Sequence, residues 1–239
     1  MAEATAFATR LTALGFEQPA RTALALQGLQ TAADLLSLTT KDLEKLISHC
    51  QNEVRNMARD PAIPRPVFPF LAVKRLQAFY LWTSYQDSRG QPIRPVLFLP
   101  AVTTRWMDRI AFLERLENDQ EIPTPLPLTS FDDWVAWLES LLAWARHMRS
   151  ARTGTPFSYL LRDHQDVTPE MLTTAYDSID DELVSTVILA GPSYEHDNQL
   201  LFDHLRGWLR EGPAWPFMQL HARSMNGCAA FFSVKAQAE

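Results

Sequence analysis

The chain has 239 residues, 46% of them hydrophobic, which is enough for one large domain or two small ones with a substantial core. No stretch approaches the roughly 20 apolar residues of a membrane span, and the amino terminus lacks the basic start and apolar core of a signal peptide. These features predict a cytoplasmic protein without a membrane partner, and the net charge of −6 argues against wholesale coating of nucleic acid.

The charge is divided into blocks of opposite sign along the chain. Residues 54–109 carry nine basic residues against three acidic ones, whereas residues 110–145 carry seven acidic residues against Arg115. Residues 146–162 contain four arginines and no acid, and the remainder is again acidic. Blocks of this size favour head-to-tail contact between copies, although they are equally compatible with helices that display different solvated faces.

The first segment, residues 4–58, is predicted to be a small helical module. Helical spacing of Phe7, Leu11 and Leu14 precedes Gly15, and Gly28 ends a second helix. A threonine of Thr39-Thr-Lys-Asp42 is expected to cap the last helix of the module, and Asp42 favours the positive end of that helix. The marks Gly-Leu, Asp-Leu-Leu-Ser-Leu-Thr and Asp-Leu between residues 28 and 43 are similar to the sterile alpha motif, and that resemblance implies a protein-contact module.

Four prolines in residues 59–69 predict an extended linker and the main domain boundary. A helix is expected at 71–86, and Val96-Leu-Phe-Leu99 is interpreted as apolar chain packed on helices rather than a strand. Residues 105–117 form the next predicted helix. Three prolines at 123–127 make a second break.

The strongest predicted helix begins after Ser130, with Asp133 at the third position of a capping-box pattern. A broad apolar stripe containing Trp134 and Trp137 indicates core packing, and arginines at 146, 149 and 152 approach its carbonyl end before Gly154. Glycine and proline marks then predict further helices at 168–177, 181–190, 195–211, 215–223 and 227–236. The sequence therefore predicts an all-α fold: the module 4–58, the linker 59–69 and a larger multi-helix bundle over 70–239.

No motif for a catalytic nucleophile, a phosphate loop or a paired metal site is present. The best residual cluster is His196, Asp203 and His204, but two helical turns separate its ends by about 10 Å, too far for one metal without a third element. Glu195 and Asp197 are expected to compensate a helix dipole instead. No Cys-x-x-Cys pair exists, and Cys50 and Cys228 are expected to be reduced thiols, with Cys228 a buried structural cysteine.

The order of elements carries a second resemblance. The module, the proline linker, Val73-Lys-Arg-Leu-Gln-Ala-Phe-Tyr80, the second proline break and the tryptophan-rich helix are followed by Gly-x-Pro-x-Ser-Tyr-Leu-x-Arg at 154–162. Gly-x-x-Tyr-x-x-Asp-Asn at 191–198, Gly-Pro at 212–213 and Asn-Gly-x-Ala-Ala at 226–230 complete the pattern. This pattern resembles the N-terminal Gag region of copia-type retrotransposons of the algal kind, over nearly the whole chain.

The resemblance implies a capsid-like structural protein that self-associates as a homo-oligomer, packages RNA without sequence specificity, and has no enzymatic activity or cofactor. Exposed apolar positions around Trp208 and Trp215 are the predicted assembly contacts. RNA or an acidic partner would be bound by arginine-rich segments, and the candidate contacts are Arg55, Arg59, Arg65, Lys74, Arg75, Arg146, Arg149, Arg152 and Arg162.

Two features differ from the family pattern. An arginine is expected after Asn226-Gly227, where this chain has Cys228, and the sequence ends at Glu239 before any zinc knuckle, protease, integrase or polymerase. A truncated Gag, a natural fragment and a host protein derived from one remain open. The alternative hypotheses are a non-catalytic adaptor that binds a protein partner through residues 4–58 and, more remotely, a metal-dependent hydrolase.

Overall fold

The computed structural model describes residues 2–57, 65–119 and 124–239, and the side chains of 2–52, 65–116 and 124–239. Within these ranges the chain is all-α, as predicted: it forms α-helices and short 3₁₀ turns, with one isolated β-bridge and no strand. The helices are α1 Ala2–Leu14, α2 Gln18–Leu26, α3 Ala32–Leu35, α4 Thr40–Met57, α5 Phe70–Ser88, α6 Pro100–Asp119, α7 Trp134–His147, α8 Pro169–Thr173, α9 Ile179–Thr186, α10 Pro192–Leu209, α11 Trp215–Gln219 and α12 Gly227–Ala238. None of them, in the described part of the chain, is long and apolar enough to cross a membrane.

The chain divides into two compact units, Met1–Asn118 and Asp119–Glu239. This division differs from the predicted boundary at 59–69, part of which lies outside the described residues. The predicted module at 4–58 belongs to a larger unit because α1 and α3 pack against α5. The proline-rich segment separates α4 from α5 in the sequence, but the helices before and after it share one core because α1 and α3 pack against α5.

Aromatic side chains form the core of the first unit. Phe79, in the middle of α5, lies 6.1 Å from Phe7 of α1, 5.7 Å from Trp82 and 5.0 Å from Phe98, measured between ring centroids. Phe98 is fully buried and belongs to the segment that follows α5. Ring pairs at these separations contribute beyond simple area burial, so they fix the segment around Phe98 firmly to α5.

The predicted threonine cap at the start of α4 is confirmed, and Thr39 provides it. The Thr39 hydroxyl oxygen accepts a hydrogen bond from the Asp42 backbone N–H at 3.1 Å, and the Asp42 carboxylate accepts one from the Thr39 N–H at 3.0 Å. Two backbone donors that helix geometry leaves without partners are thus satisfied reciprocally.

Helices α10 and α12 pack closely against each other in the second unit, and Gly227 lies at that contact. A Cβ atom at Gly227 would lie 2.5 Å from the Asn198 carbonyl oxygen and 2.6 Å from the Phe202 backbone nitrogen, both of α10. Only a residue without a side chain allows the two backbones to lie this close. Asn226, which was interpreted only as a helix boundary, caps α12 by accepting a hydrogen bond from the Ala229 N–H at 2.9 Å.

The start and end of α7 differ from the prediction. A 3₁₀ turn, Phe131–Asp133, precedes it, and the Ser130 hydroxyl accepts from the Asp132 N–H instead of completing a capping box with Asp133. The helix ends at His147 because the chain extends at Met148 and then pairs Arg149 with Pro156 in the isolated bridge. Arg149 and Arg152 therefore lie beyond the helix rather than at its carbonyl end.

Several other elements are shorter or longer than predicted. Helices α8, α9 and α11 are shorter than expected, whereas α6 begins five residues earlier than the predicted 105. Residues 96–99 form no strand, as expected, and lie in and after a 3₁₀ turn at Pro95–Leu97.

Candidate functional site

An apolar ridge, formed by Val96, Leu97 and Leu99, projects from the first unit. These side chains are 65%, 53% and 54% exposed, while Phe98 between them is buried. Arg10 of α1 holds the ridge backbone in place, since its guanidinium donates to the carbonyl oxygens of Pro95 at 2.8 Å and Val96 at 3.1 Å. The expectation that this segment packs on helices is correct for Phe98 alone. A rigid run of exposed apolar side chains is typical of a contact surface.

The ridge lies in a basic stretch of sequence. Between Asp87 and Asp108 the chain carries three arginines and no acidic residue. Arg89 is buried over the Tyr85 ring, with its guanidinium carbon 4.8 Å from the ring centroid, whereas Arg94 and Arg105 are exposed. A partner that covers the ridge therefore meets positive charge at its margin.

The second unit presents an acidic face at the start of α7, formed by Asp132 of the preceding 3₁₀ turn and by Val135 and Glu139 of the helix. Val135 is 68% exposed, and the two carboxylates lie three residues before and four residues after it, on the same side of the helical stretch. The opposite side carries Trp134 and Trp137, which are buried and stacked with ring centroids 5.4 Å apart. Between Arg115 and Arg146 the sequence contains six acidic residues and no basic one, so Val135 lies in an acidic stretch of sequence.

Several predicted nucleic-acid contacts are already engaged within their own unit. Lys74 forms an ion pair with Glu114 of α6, and Arg75 donates to the Leu14 carbonyl oxygen at 3.4 Å. Arg149 pairs with Asp180 of α9 at 2.9 Å. These side chains stabilise the packing of neighbouring helices, which reduces what they offer to an external phosphate.

Arg162 was predicted to contact nucleic acid, and the structure contradicts this because the side chain is only 7% exposed. Its guanidinium donates to the backbone carbonyl oxygens of His164 at 2.9 Å, Val184 at 2.9 Å and Gln165 at 3.3 Å. Arg162 thus ties the loop after the 3₁₀ turn Phe157–Leu161 to α9. Burial lowers its pKa, as expected for a charge removed from water.

The remaining predicted basic contacts include three exposed arginines. Arg65, Arg146 and Arg152 have exposed side chains, whereas the side chains of Arg55 and Arg59 lie outside the described residues. Arg65 belongs to the first unit, whereas Arg146 and Arg152 belong to the second.

The expected exposure of Trp208 is also wrong. Its side chain is 8% exposed and packs edge-on against Trp144, with centroids 4.9 Å apart, and against His204 at 5.4 Å. It belongs to the core between α7 and α10. Trp215 at the start of α11 is half-buried, so it retains part of its surface for a contact.

A buried polar cluster lies beneath α10. Asp197 is 1% exposed, and its carboxylate accepts a hydrogen bond from the Tyr159 hydroxyl at 3.0 Å, while its second oxygen has no hydrogen-bond partner. Burial raises the pKa of Asp197, and burial together with the nearby Asp197 charge raises the pKa of Tyr159. Asp197 was expected to compensate the helix dipole, but it lies beyond the first turn of α10 and is buried against Tyr159.

Cys228 adjoins this cluster and is a buried free thiol, as expected, and Cys50 of the first unit is also buried and free. Burial raises the pKa of Cys228 to about 11, so the thiolate nucleophile is scarce at neutral pH. Its backbone N–H donates to the Asn198 side-chain oxygen at 2.8 Å. The arrangement joins α10 to α12 and gives no activated nucleophile.

The residual metal cluster does not assemble. His204 is packed against Trp144, and burial lowers its pKa, while Asp203 pairs with Arg206 at 3.2 Å and His196 is exposed. No group of three or more metal-ligating side chains occurs among the residues with described positions. The geometry thus offers no support for the metal-dependent hydrolase.

The apolar ridge and the acidic face were not identified from the sequence. The charge blocks of the sequence indicated the opposite charges of these two surfaces. Exposure could not be predicted in this way, because it depends on which side of each element faces the core. Comparisons with protein-family models, curated proteins and solved structures find no match to this chain.

Proposed function

We propose that this is a structural protein that self-associates, without enzymatic activity, in the manner of a Gag or capsid protein. The observation that carries the proposal is the pair of exposed apolar surfaces of opposite charge, the ridge and the acidic face. The backbone beneath each surface packs on buried aromatic side chains, Phe98 for the ridge and Trp134 and Trp137 for the acidic face, so association requires little ordering of the backbone. A cytoplasmic location remains part of this proposal.

The polar groups that are most perturbed support a structural role. Asp197, Tyr159 and Cys228 are buried, and the surrounding hydrogen bonds join α10 to α12 and to the 3₁₀ turn Phe157–Leu161. Perturbed pKa values usually mark functional sites when the groups line a cleft that substrate can reach. Here they lie in the packed interior, where hydrogen bonding offsets the cost of burial.

RNA binding is a secondary part of the proposal. The side chains of Arg65, Arg146 and Arg152 are exposed to solvent, where arginines can make salt-sensitive contacts with phosphate. Filter binding of single-stranded RNA over a range of salt concentrations tests this, and affinity that does not fall with salt would contradict it.

The adaptor hypothesis receives less support. Leu26 is the one large apolar side chain among the described residues 2–52 that is strongly exposed, and isolated exposed leucines are ordinary on soluble proteins.

Size-exclusion chromatography with light scattering tests self-association. At low salt and high protein concentration we expect a mass that is a multiple of the 27.2 kDa chain, with a shift towards the monomer as salt screens the charges. Nuclease treatment beforehand separates protein association from bridging by RNA. A monomer at both low and high salt would count decisively against the proposal.

A further inference from the structure

We infer that copies of this chain associate head to tail, with the apolar ridge of one copy seated on the acidic face of the next. The inference rests on the proposed function, since it names the surfaces through which self-association occurs. The occupant of each surface is a second copy because the chain carries both complementary halves.

Charge selects this pairing over contact between identical surfaces. Two ridges brought face to face would bring together two copies of Arg94, which lies just before the ridge in the sequence and is exposed. Two acidic faces would likewise oppose Asp132 and Glu139 with the same carboxylates. Like charges at a contact are disfavoured, whereas a ridge against an acidic face places arginines near carboxylates.

The apolar parts of the two surfaces are also suited to each other. The ridge offers three exposed aliphatic side chains on a backbone fixed by Arg10 and Phe98, and the acidic face offers Val135 on a regular helix. Apolar contact supplies the non-directional attraction and the charged margin supplies orientation. Water is excluded from the centre while the charged side chains remain at the rim, as in ordinary protein interfaces.

A contact between two different surfaces has a consequence for assembly. Binding leaves the acidic face of one copy and the ridge of the other unused, so addition of copies continues until a ring closes or a filament forms. A contact between identical surfaces would end at a dimer. The stoichiometry of suitable variants therefore distinguishes the two arrangements.

Two double variants block one surface each. In the ridge variant, Arg94→Glu and Val96→Asp reverse the charge and remove an apolar side chain. In the face variant, Val135→Lys and Glu139→Lys do the same on α7. All four positions are exposed, so circular dichroism and the unfolding temperature are expected to match the wild type.

We expect each variant alone to be monomeric at concentrations where the wild type assembles, with association weakened by more than about tenfold. An equimolar mixture is expected to form a dimer and nothing larger, because the intact ridge of one variant meets the intact acidic face of the other. Arg223→Glu and Glu211→Lys, charge reversals at exposed positions outside both surfaces, serve as matched controls that should assemble like the wild type.

Light scattering of each variant and of the mixture decides the question. If either double variant assembles like the wild type, or if the mixture remains monomeric, the head-to-tail contact is wrong although self-association stands. A wild type that is itself monomeric refutes the proposed function instead. Should a double variant fail to fold, the single reversals Arg94→Glu and Glu139→Lys are mixed in its place and judged by the same outcomes.

Discussion

Replacing Gly227 by alanine tests the packing that organises the second unit. The added carbon would lie 2.5 Å from the Asn198 carbonyl oxygen, 2.6 Å from the Phe202 nitrogen and 2.8 Å from the Leu201 Cβ atom. Ordinary contact begins near 3.4 Å, so α12 would have to move away from α10 by on the order of 1 Å. The atoms it meets include backbone atoms, which cannot rotate aside as the end of a flexible side chain does.

The expected cost is about 1–3 kcal/mol of unfolding free energy, the usual range for overpacking in a dense core. The movement would also stretch the 2.8 Å hydrogen bond from the Cys228 N–H to the Asn198 side chain. Alanine is intrinsically the better helix former, by up to about 1 kcal/mol, so propensity alone predicts the opposite sign. A loss of stability would therefore report the close contact between α10 and α12 and not the helix propensity of the residue.

Gly207→Ala is the matched control, because Gly207 lies within α10 and a Cβ atom there meets nothing within 4 Å. We expect it to stabilise the protein by about 0.5–1 kcal/mol. Urea unfolding followed by circular dichroism and tryptophan fluorescence measures both variants. If Gly227→Ala equals or exceeds the wild type in stability, or if both variants change in the same direction, the inferred contact between α10 and α12 is wrong.

Three further predictions concern buried groups. Because the pKa of Asp197 is higher in the folded state than in the unfolded one, its contribution to stability is lost as pH rises through the folded pKa. The free energy of unfolding of Asp197→Asn, relative to that of the wild type, should therefore increase from acid to neutral pH. A difference between the two free energies that stays constant over this pH range would contradict the prediction. Phe98→Ala should cost about 3–5 kcal/mol, whereas Val96→Ser should leave thermal stability within about 0.5 kcal/mol; equal losses would refute the assignment of buried and exposed positions. Arg162→Met should destabilise the protein by more than about 1.5 kcal/mol, against little change for Arg146→Ala, and a neutral Arg162→Met would show that its carbonyl hydrogen bonds are dispensable.

Local signals in the sequence were sufficient for most helices. The predicted helix at 71–86 is α5, Phe70–Ser88, and the threonine cap predicted the start of α4. Helix boundaries are set by interactions within a few residues, such as caps, prolines and glycines, which the sequence displays directly. The predicted bounds of the shorter helices were less accurate, because α8 and α11 form only a turn or two and depend on the helices around them.

Burial could not be predicted in the same way. Trp208 was expected to be exposed, but Trp144 and His204 cover it, and Asp197 was expected to compensate the helix dipole, but it is buried against Tyr159. The contacts of Trp208 with Trp144, of Asp197 with Tyr159 and of Arg162 with Val184 each join residues that are far apart in the sequence. Periodicity shows that a helix has an apolar side, but it does not show which partner covers a given residue.

The sequence by itself determined the all-α character, the positions of the main helices and the alternation of charge along the chain. The tertiary structure alone decided that the first unit extends to Asn118, that Asn226-Gly227 permits close packing of α12 on α10, and that the ridge and the acidic face are exposed. Helices form through interactions between near neighbours, whereas burial and surface shape arise from contacts between residues far apart in the chain. For the same reason the charge blocks are visible in the sequence, whereas the surfaces that display them are visible only in the tertiary structure.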